Sequence, residues 1–193
     1  MLLPPLDNGK GFGTLVSLIV GAGKDRNIYV LDAANLGKFN PNTDDIYQLM
    51  SNALPGGAWS SPAWFNGNLY YGGVGDNLKA FAFTGGSFSL ASHSSNQFPY
   101  PGTTPSISAN GNTNGIVWTV ENSDPAVLHA YDARNVATEL YNSSQAAGGR
   151  DNFGAGNKFV VPTIANGKVY VGTTNGVGVF GLRPPTRRPP PRK

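Results

Sequence analysis

The chain has 193 residues, with 26 glycines, 15 prolines, 11% aromatic residues and only 13% charged ones. That mix suits many short strands joined by tight turns rather than helices, and no stretch approaches the roughly eighteen apolar residues of a membrane-spanning helix. The absence of cysteine excludes disulfides, thiolate nucleophiles and cysteine-ligated metals, and it leaves localisation open.

Met1–Leu6 has neither a basic start nor a cleavage site, so no signal peptide is expected in this chain. Thr14–Val20 is apolar but short, and Lys24, Asp25 and Arg26 follow it. From there the chain repeats. Ile28–Ala33 (IYVLDA), Leu78–Phe83 (LKAFAF), Leu128–Ala133 (LHAYDA) and Val177–Leu182 (VGVFGL) share one pattern. Their equivalent positions, Leu31, Phe81, Tyr131 and Phe180, are spaced by 50, 50 and 49 residues. Each is preceded by a second strand and a polar turn, at Leu18–Asn27, Leu69–Asn77, Ile116–Pro125 and Val169–Gly176. Three copies carry a further strand before that, ending in Asn-Gly at 66–67, 110–111 and 166–167. Asn and Gly accept the positive φ of a type I′ hairpin turn, so each pair predicts a tight hairpin. Weaker fourth strands are expected at Ile46–Met50, Phe88–Ala91 and Glu139–Tyr141, with Asp44–Ala53 ambiguous between strand and helix.

Four antiparallel strands every ~40–50 residues is the pattern of a propeller blade. The predicted fold is all-β: a partial β-propeller of about four four-stranded antiparallel blades, at residues 1–53, 54–98, 99–147 and 148–182. The last eleven residues, 183–193 (RPPTRRPPPRK), are expected to be a disordered Pro/Arg-rich tail. That tail carries five basic groups. The rest of the chain has 9 basic and 11 acidic residues, a net −2, so the formal charge of +3 does not predict a nucleic-acid surface.

VYVGTTNG (Val169–Gly176) followed by strands such as IYVLDA and LHAYDA resembles the pyrroloquinoline-quinone-like (PQQ-like) propeller repeat. More narrowly, it is similar to the C-terminal part of large bacterial propeller proteins of the acidobacterial type. The resemblance covers nearly all of Leu15–Leu182 but lacks the tryptophan that ends the family's units, after Asp32, Phe83 and Asp132. It implies a ring of six to eight blades, of which four blades are about half, and a secreted or periplasmic parent protein. An open arc would expose apolar faces that monomers rarely leave uncovered. The expected partner is therefore a second copy, a homodimer closing an eight-bladed ring.

Candidate site residues lie in the loops that would meet at a channel mouth. Asp25, Asp76, Glu121, Asp124, Asp151 and Asn152 form an acid-amide set that suits Ca²⁺, which wants six to eight oxygen ligands. The same residues also serve as ordinary turn formers. Trp59 and Tyr100 are candidates to line a small-molecule site. His93 is expected in a solvated Ser-rich loop and His129 on an exposed strand face, neither beside an acid at metal-ligand spacing. Asp32 and Asp132 are read as holding the turns that follow them. Gly21–Lys24 (GAGK) lacks the remaining P-loop residues, and Gly176–Gly181 (GVGVFG) has no following helix. A G-x-S-x-G elbow is absent.

Three functions are compatible with this pattern. The first is a non-catalytic binding or scaffold propeller. The second is a calcium-dependent hydrolase of lactones, the metal polarising a carbonyl at the channel mouth. The third, implied only by the repeat's resemblance, is a quinone-dependent dehydrogenase fragment. It ranks last because those enzymes use a vicinal cysteine pair, so no PQQ is expected here.

Overall fold

The Asn-Gly pairs set the hairpins. In the computed structural model, which describes residues 1–182, Asn66 and Gly67 have φ of 46° and 78°, and Asn166 and Gly167 have φ of 50° and 69°. Both pairs are two-residue turns with both central residues in the left-handed region, as type I′ requires. The third turn differs. Asn110 pairs with Thr113, so Gly111 (φ 56°) and Asn112 form the turn, displaced by one residue from the expected pair. A register shift between Ser108 and Asn110 absorbs the extra residue. The expected tail at 183–193 lies outside the described residues.

The described chain is all-β, with five antiparallel sheets rather than four. A two-stranded ladder joins β1 (Leu6–Asp7) to β2 (Leu15–Val16). The first main sheet contains β3 (Leu18–Ala22), β4 (Ile28–Asp32) and β5 (Gln48–Met50). Met1–Leu3 runs along its free edge: the Leu3 N–H donates to the Leu18 carbonyl at 2.9 Å and the Val20 N–H to that of Met1 at 2.8 Å. The second sheet contains β6 (Ala63–Phe65), β7 (Asn68–Gly72), β8 (Asp76–Thr84) and β9 (Ser87–Phe98). The third contains β10 (Ser106–Asn110), β11 (Thr113–Glu121), β12 (Val127–Asp132) and β13 (Glu139–Asn142). Two single-turn 3-10 helices, Ser143–Gln145 and Ala147–Gly149, lead to the fourth sheet. That sheet has three strands, β14 (Thr163–Ala165), β15 (Lys168–Gly172) and β16 (Val177–Gly181).

Strand β9 is far longer than the segment expected at Phe88–Ala91, and it takes in the Ser-rich stretch expected to be a loop. The serines are the reason. Ser94 Oγ accepts the Leu78 N–H at 3.0 Å, and Asn77 Nδ2 donates to the carbonyls of Ser94 and Asn96, each at 2.9 Å. These side chains replace ladder bonds where the register shifts. Asp44–Ala53 resolves as a short strand, β5.

Each core cluster lies between consecutive sheets. Leu18, Val20, Ile28 and Val30 meet Leu69, Tyr71, Phe81 and Phe88. Tyr70, Leu78, Ala80 and Phe98 meet Val117, Tyr131, Ala133 and Val136. Val120, Ala126 and Leu128 meet Val169 and Val171. The second and third sheets are thus buried on both faces, which is why Leu69-Tyr70-Tyr71 reads as a continuous apolar run. Side-chain bonds tie neighbours together. Gln48 exchanges two 2.8 Å bonds with the Phe88 backbone, Tyr70 Oη donates to the Ala133 carbonyl at 2.6 Å, and Ser106 Oγ donates to that of Pro162 at 2.6 Å.

The outer sheets each keep one uncovered face. On the first, Ile19 pairs with Leu2 and Leu31, and Tyr29 pairs with Leu49. Leu2 is 67% exposed and Leu49 is 46% exposed. On the fourth, Tyr170 pairs with Val179, and Val177 and Val179 are both exposed.

Candidate functional site

Tyr29, Lys79 and His129 occupy the same register position, two residues before Leu31, Phe81 and Tyr131. In these three units that position is tied to a carboxylate, while the fourth has Gly178 there. Tyr29 Oη donates to Asp25 Oδ2, and Asn27 Nδ2 donates to the same oxygen at 3.2 Å. The phenol's hydrogen bond holds the Asp25 carboxyl below the usual carboxylate range. Lys79 Nζ lies 2.7 Å from Asp76 Oδ2 and also donates to the Ala53 carbonyl at 2.9 Å. His129 sits between two glutamates, Nδ1 at 2.6 Å from Glu139 Oε1 and Nε2 at 3.5 Å from Glu121 Oε2.

The expected acid-amide set is therefore not brought together. Asp25, Asp76 and Glu121 each face a group of their own unit. Asp151 accepts from Tyr141 Oη at 2.7 Å and from Arg150 Nε at 2.6 Å. Asn152 Oδ1 accepts the Gly154 N–H at 3.0 Å, and Asp124 lies on an exposed turn. No group of three or more His, Asp or Glu side chains among the described residues is placed to hold a metal ion. Asp25, Asp76 and Asp151 are each turned toward a nearby donor, Glu121 toward His129, and Asp124 lies in an exposed bend. The turn role read for Asp32 and Asp132 matches the geometry. Their Oδ1 atoms accept the N–H groups of Ala34 and Arg134, both at 2.9 Å.

His129 corrects the sequence reading. It is 5% exposed rather than on an open face, and it has two acidic neighbours. Its ring stacks on Tyr131 with centroids 5.9 Å apart and meets the edge of Phe98 at 5.6 Å. The matching positions 29 and 79 are only half-buried. At 129 the second sheet packs Phe98 over the ring. Nε2 has no hydrogen-bond partner, and neither has the hydroxyl of Thr119, the residue opposite on β11. Both side chains are buried. His93 is exposed as expected, but on β9 instead of a loop.

Trp59 and Tyr100 do come together. Their rings meet edge to face with centroids 5.8 Å apart. Phe159, which sequence reasoning missed, joins them at 6.5 Å from Tyr100. The three rings come from the loops that enter the second, third and fourth main sheets. Asn122 Nδ2 braces the cluster through the Tyr100 carbonyl at 3.0 Å. Lys24 Nζ lies 5.5 Å over Trp59, and Lys158 Nζ lies 5.3 Å over Tyr100, both within cation-π range. Neither ammonium forms an ion pair among the described residues.

Tyr100 is 45% exposed and Phe159 is 56% exposed. Phe159 also has φ of 64°, a left-handed conformation that costs a bulky residue about 1–3 kcal/mol. Burial does not offset that cost. The recess beside the rings, lined in part by Ser60, Thr104, Asn122 and Asn157, has a volume of about 10 Å³. That is room for about one water. This end of the molecule can hold a ligand across its surface but cannot enclose one.

No helix among the described residues is long and apolar enough to cross a membrane. No protein-family model matches the chain, and no curated protein matches it.

Proposed function

We propose that the chain is a non-catalytic binding and scaffold module, an incomplete PQQ-like β-propeller whose ligand lies across the loop end at Trp59, Tyr100 and Phe159. The observation that carries this reading is the aromatic cluster itself. Rings from three successive loops meet at one place, Trp59 half-buried and Tyr100 and Phe159 exposed, the last in a strained backbone conformation. Three features support the propeller part. The 50-residue period coincides with the succession of main sheets, consecutive sheets pack face to face, and both outer sheets keep an apolar face.

The partner that fits those two faces is a second copy. Two arcs of four sheets would close a ring of eight, each first sheet covering the other chain's fourth. Light scattering at micromolar concentration should give twice the chain mass, and Val179→Asp should return it to a monomer. A monomer at every concentration overturns the closed ring.

The binding reading is tested by tryptophan fluorescence. A saturable ligand should perturb it in the wild-type chain, and the effect should disappear in Tyr100→Ala with the melting temperature retained. Chelator-sensitive hydrolysis of a lactone, lost on Asp25→Ala or Asp76→Ala, would replace this reading with the hydrolase.

A further inference from the structure

The loop end combines three features with one common ligand chemistry. Tyr100 and Phe159 offer exposed ring surface to the C–H surface of a sugar, beside the half-buried Trp59. Two ammonium groups lie over those rings without a carboxylate partner. The recess at Trp59 and Phe159 adds short hydroxyl and amide side chains, Ser60, Thr104, Asn122 and Asn157, among Pro101, Val120 and Val160. Asn122 spends its Nδ2 on the Tyr100 carbonyl, and Asn157 spends its Oδ1 on the Lys158 N–H at 3.0 Å. The opposite atom of each amide, Asn122 Oδ1 and Asn157 Nδ2, has no hydrogen bond among the described residues, which leaves one acceptor and one donor group uncommitted.

We infer that this surface binds an acidic oligosaccharide, its sugar rings on Trp59, Tyr100 and Phe159 and its carboxylates on Lys24 and Lys158. The inference rests on the binding-module reading above and adds the ligand class. The shallowness of the recess favours an extended chain over an enclosed metabolite, since pockets for enclosed ligands run to about 300–1,000 Å³. The rings also argue against single-stranded nucleic acid. They stand at 80° and 81° to one another, so successive bases could not continue one stack across them.

The test is calorimetric titration of the full chain with galacturonate and mannuronate oligomers, beside the fully methyl-esterified galacturonate oligomer and oligothymidylate. The acid oligomers should bind saturably, and esterification should weaken binding about tenfold, the effect of two exposed charge pairs. The Lys24→Gln/Lys158→Gln variant should bind acid and ester equally. Phe159→Asn should weaken both, while its melting temperature stays level or rises. Equal binding of acid and ester by the wild-type chain overturns the acidic-ligand inference and leaves the binding module standing. Binding of oligothymidylate with no uronate binding does the same. No binding of any of the four probes overturns the inference, and unchanged tryptophan fluorescence across a wider ligand panel would take the binding module with it.

Discussion

The interface between the second and third sheets and the loop end at Trp59 are built from the same kinds of side chain, used in opposite ways. At the interface, Tyr70, Tyr131 and Phe98 are at most 1% exposed, and each tyrosine hydroxyl has a partner, the Ala133 carbonyl for Tyr70 and Asn96 Oδ1 for Tyr131. At the loop end, Tyr100 and Phe159 are about half exposed, and Phe159 holds a backbone conformation that its contacts do not repay. The first arrangement lowers the free energy of the fold. The second raises it, and local strain at an exposed cluster is a mark of a surface kept for something other than stability.

The contrast breaks most readily at Phe98. Phe98→Ala should cost about 3–5 kcal/mol by urea denaturation, because the cavity is sealed between two sheets. A loss below about 1 kcal/mol would mean that the interface does not hold the sheets together. Tyr70→Phe should cost less, about 1–3 kcal/mol, by leaving the buried Ala133 carbonyl without its donor.

The same interface predicts an alkaline limit. Burial pushes the hydroxyls of Tyr70, Tyr71 and Tyr131 above the ordinary value of 10.0. Their folded pKa values are raised, so the stability they contribute is complete below pH 10 and falls as pH rises toward the folded values. Above pH 10 each such tyrosine should remove about 1.4 kcal/mol per pH unit. Tyr71→Phe should make that decline shallower, and an unchanged slope would argue that the phenols are not protected. At the loop end the sign reverses and the effect is smallest. Phe159→Asn should gain about 0.5–1 kcal/mol, since Asn tolerates the left-handed region. A loss would make the ring structural and remove the contrast.

Much of the fold was legible because it follows from strict local rules. The 50-residue register and the turns at Asn66-Gly67 and Asn166-Gly167 needed only alternation and positive φ. Strand β9 was hidden because its ladder is completed by serine and asparagine side chains, whose composition suggests a loop. The site was legible in part. Trp59 and Tyr100 stood out as large rings in glycine- and proline-rich loops. Phe159 lies four residues before β14, and nothing local distinguishes it from a strand-entry apolar residue. The acidic residues misled for a physical reason: a carboxylate in a turn looks the same in sequence whether it faces a cation or the phenol of its own strand.

The recurring pairs at positions 29, 79 and 129 have a consequence for the array as a whole. Tyrosine, lysine and histidine differ in charge, yet each answers an acid from its own sheet. Exchanging one sheet for another would leave each of these acids paired, but it would have to rematch the apolar faces and the hydrogen bonds that cross them, such as Lys79 to the Ala53 carbonyl, Gln48 to Phe88 and Tyr70 to Ala133.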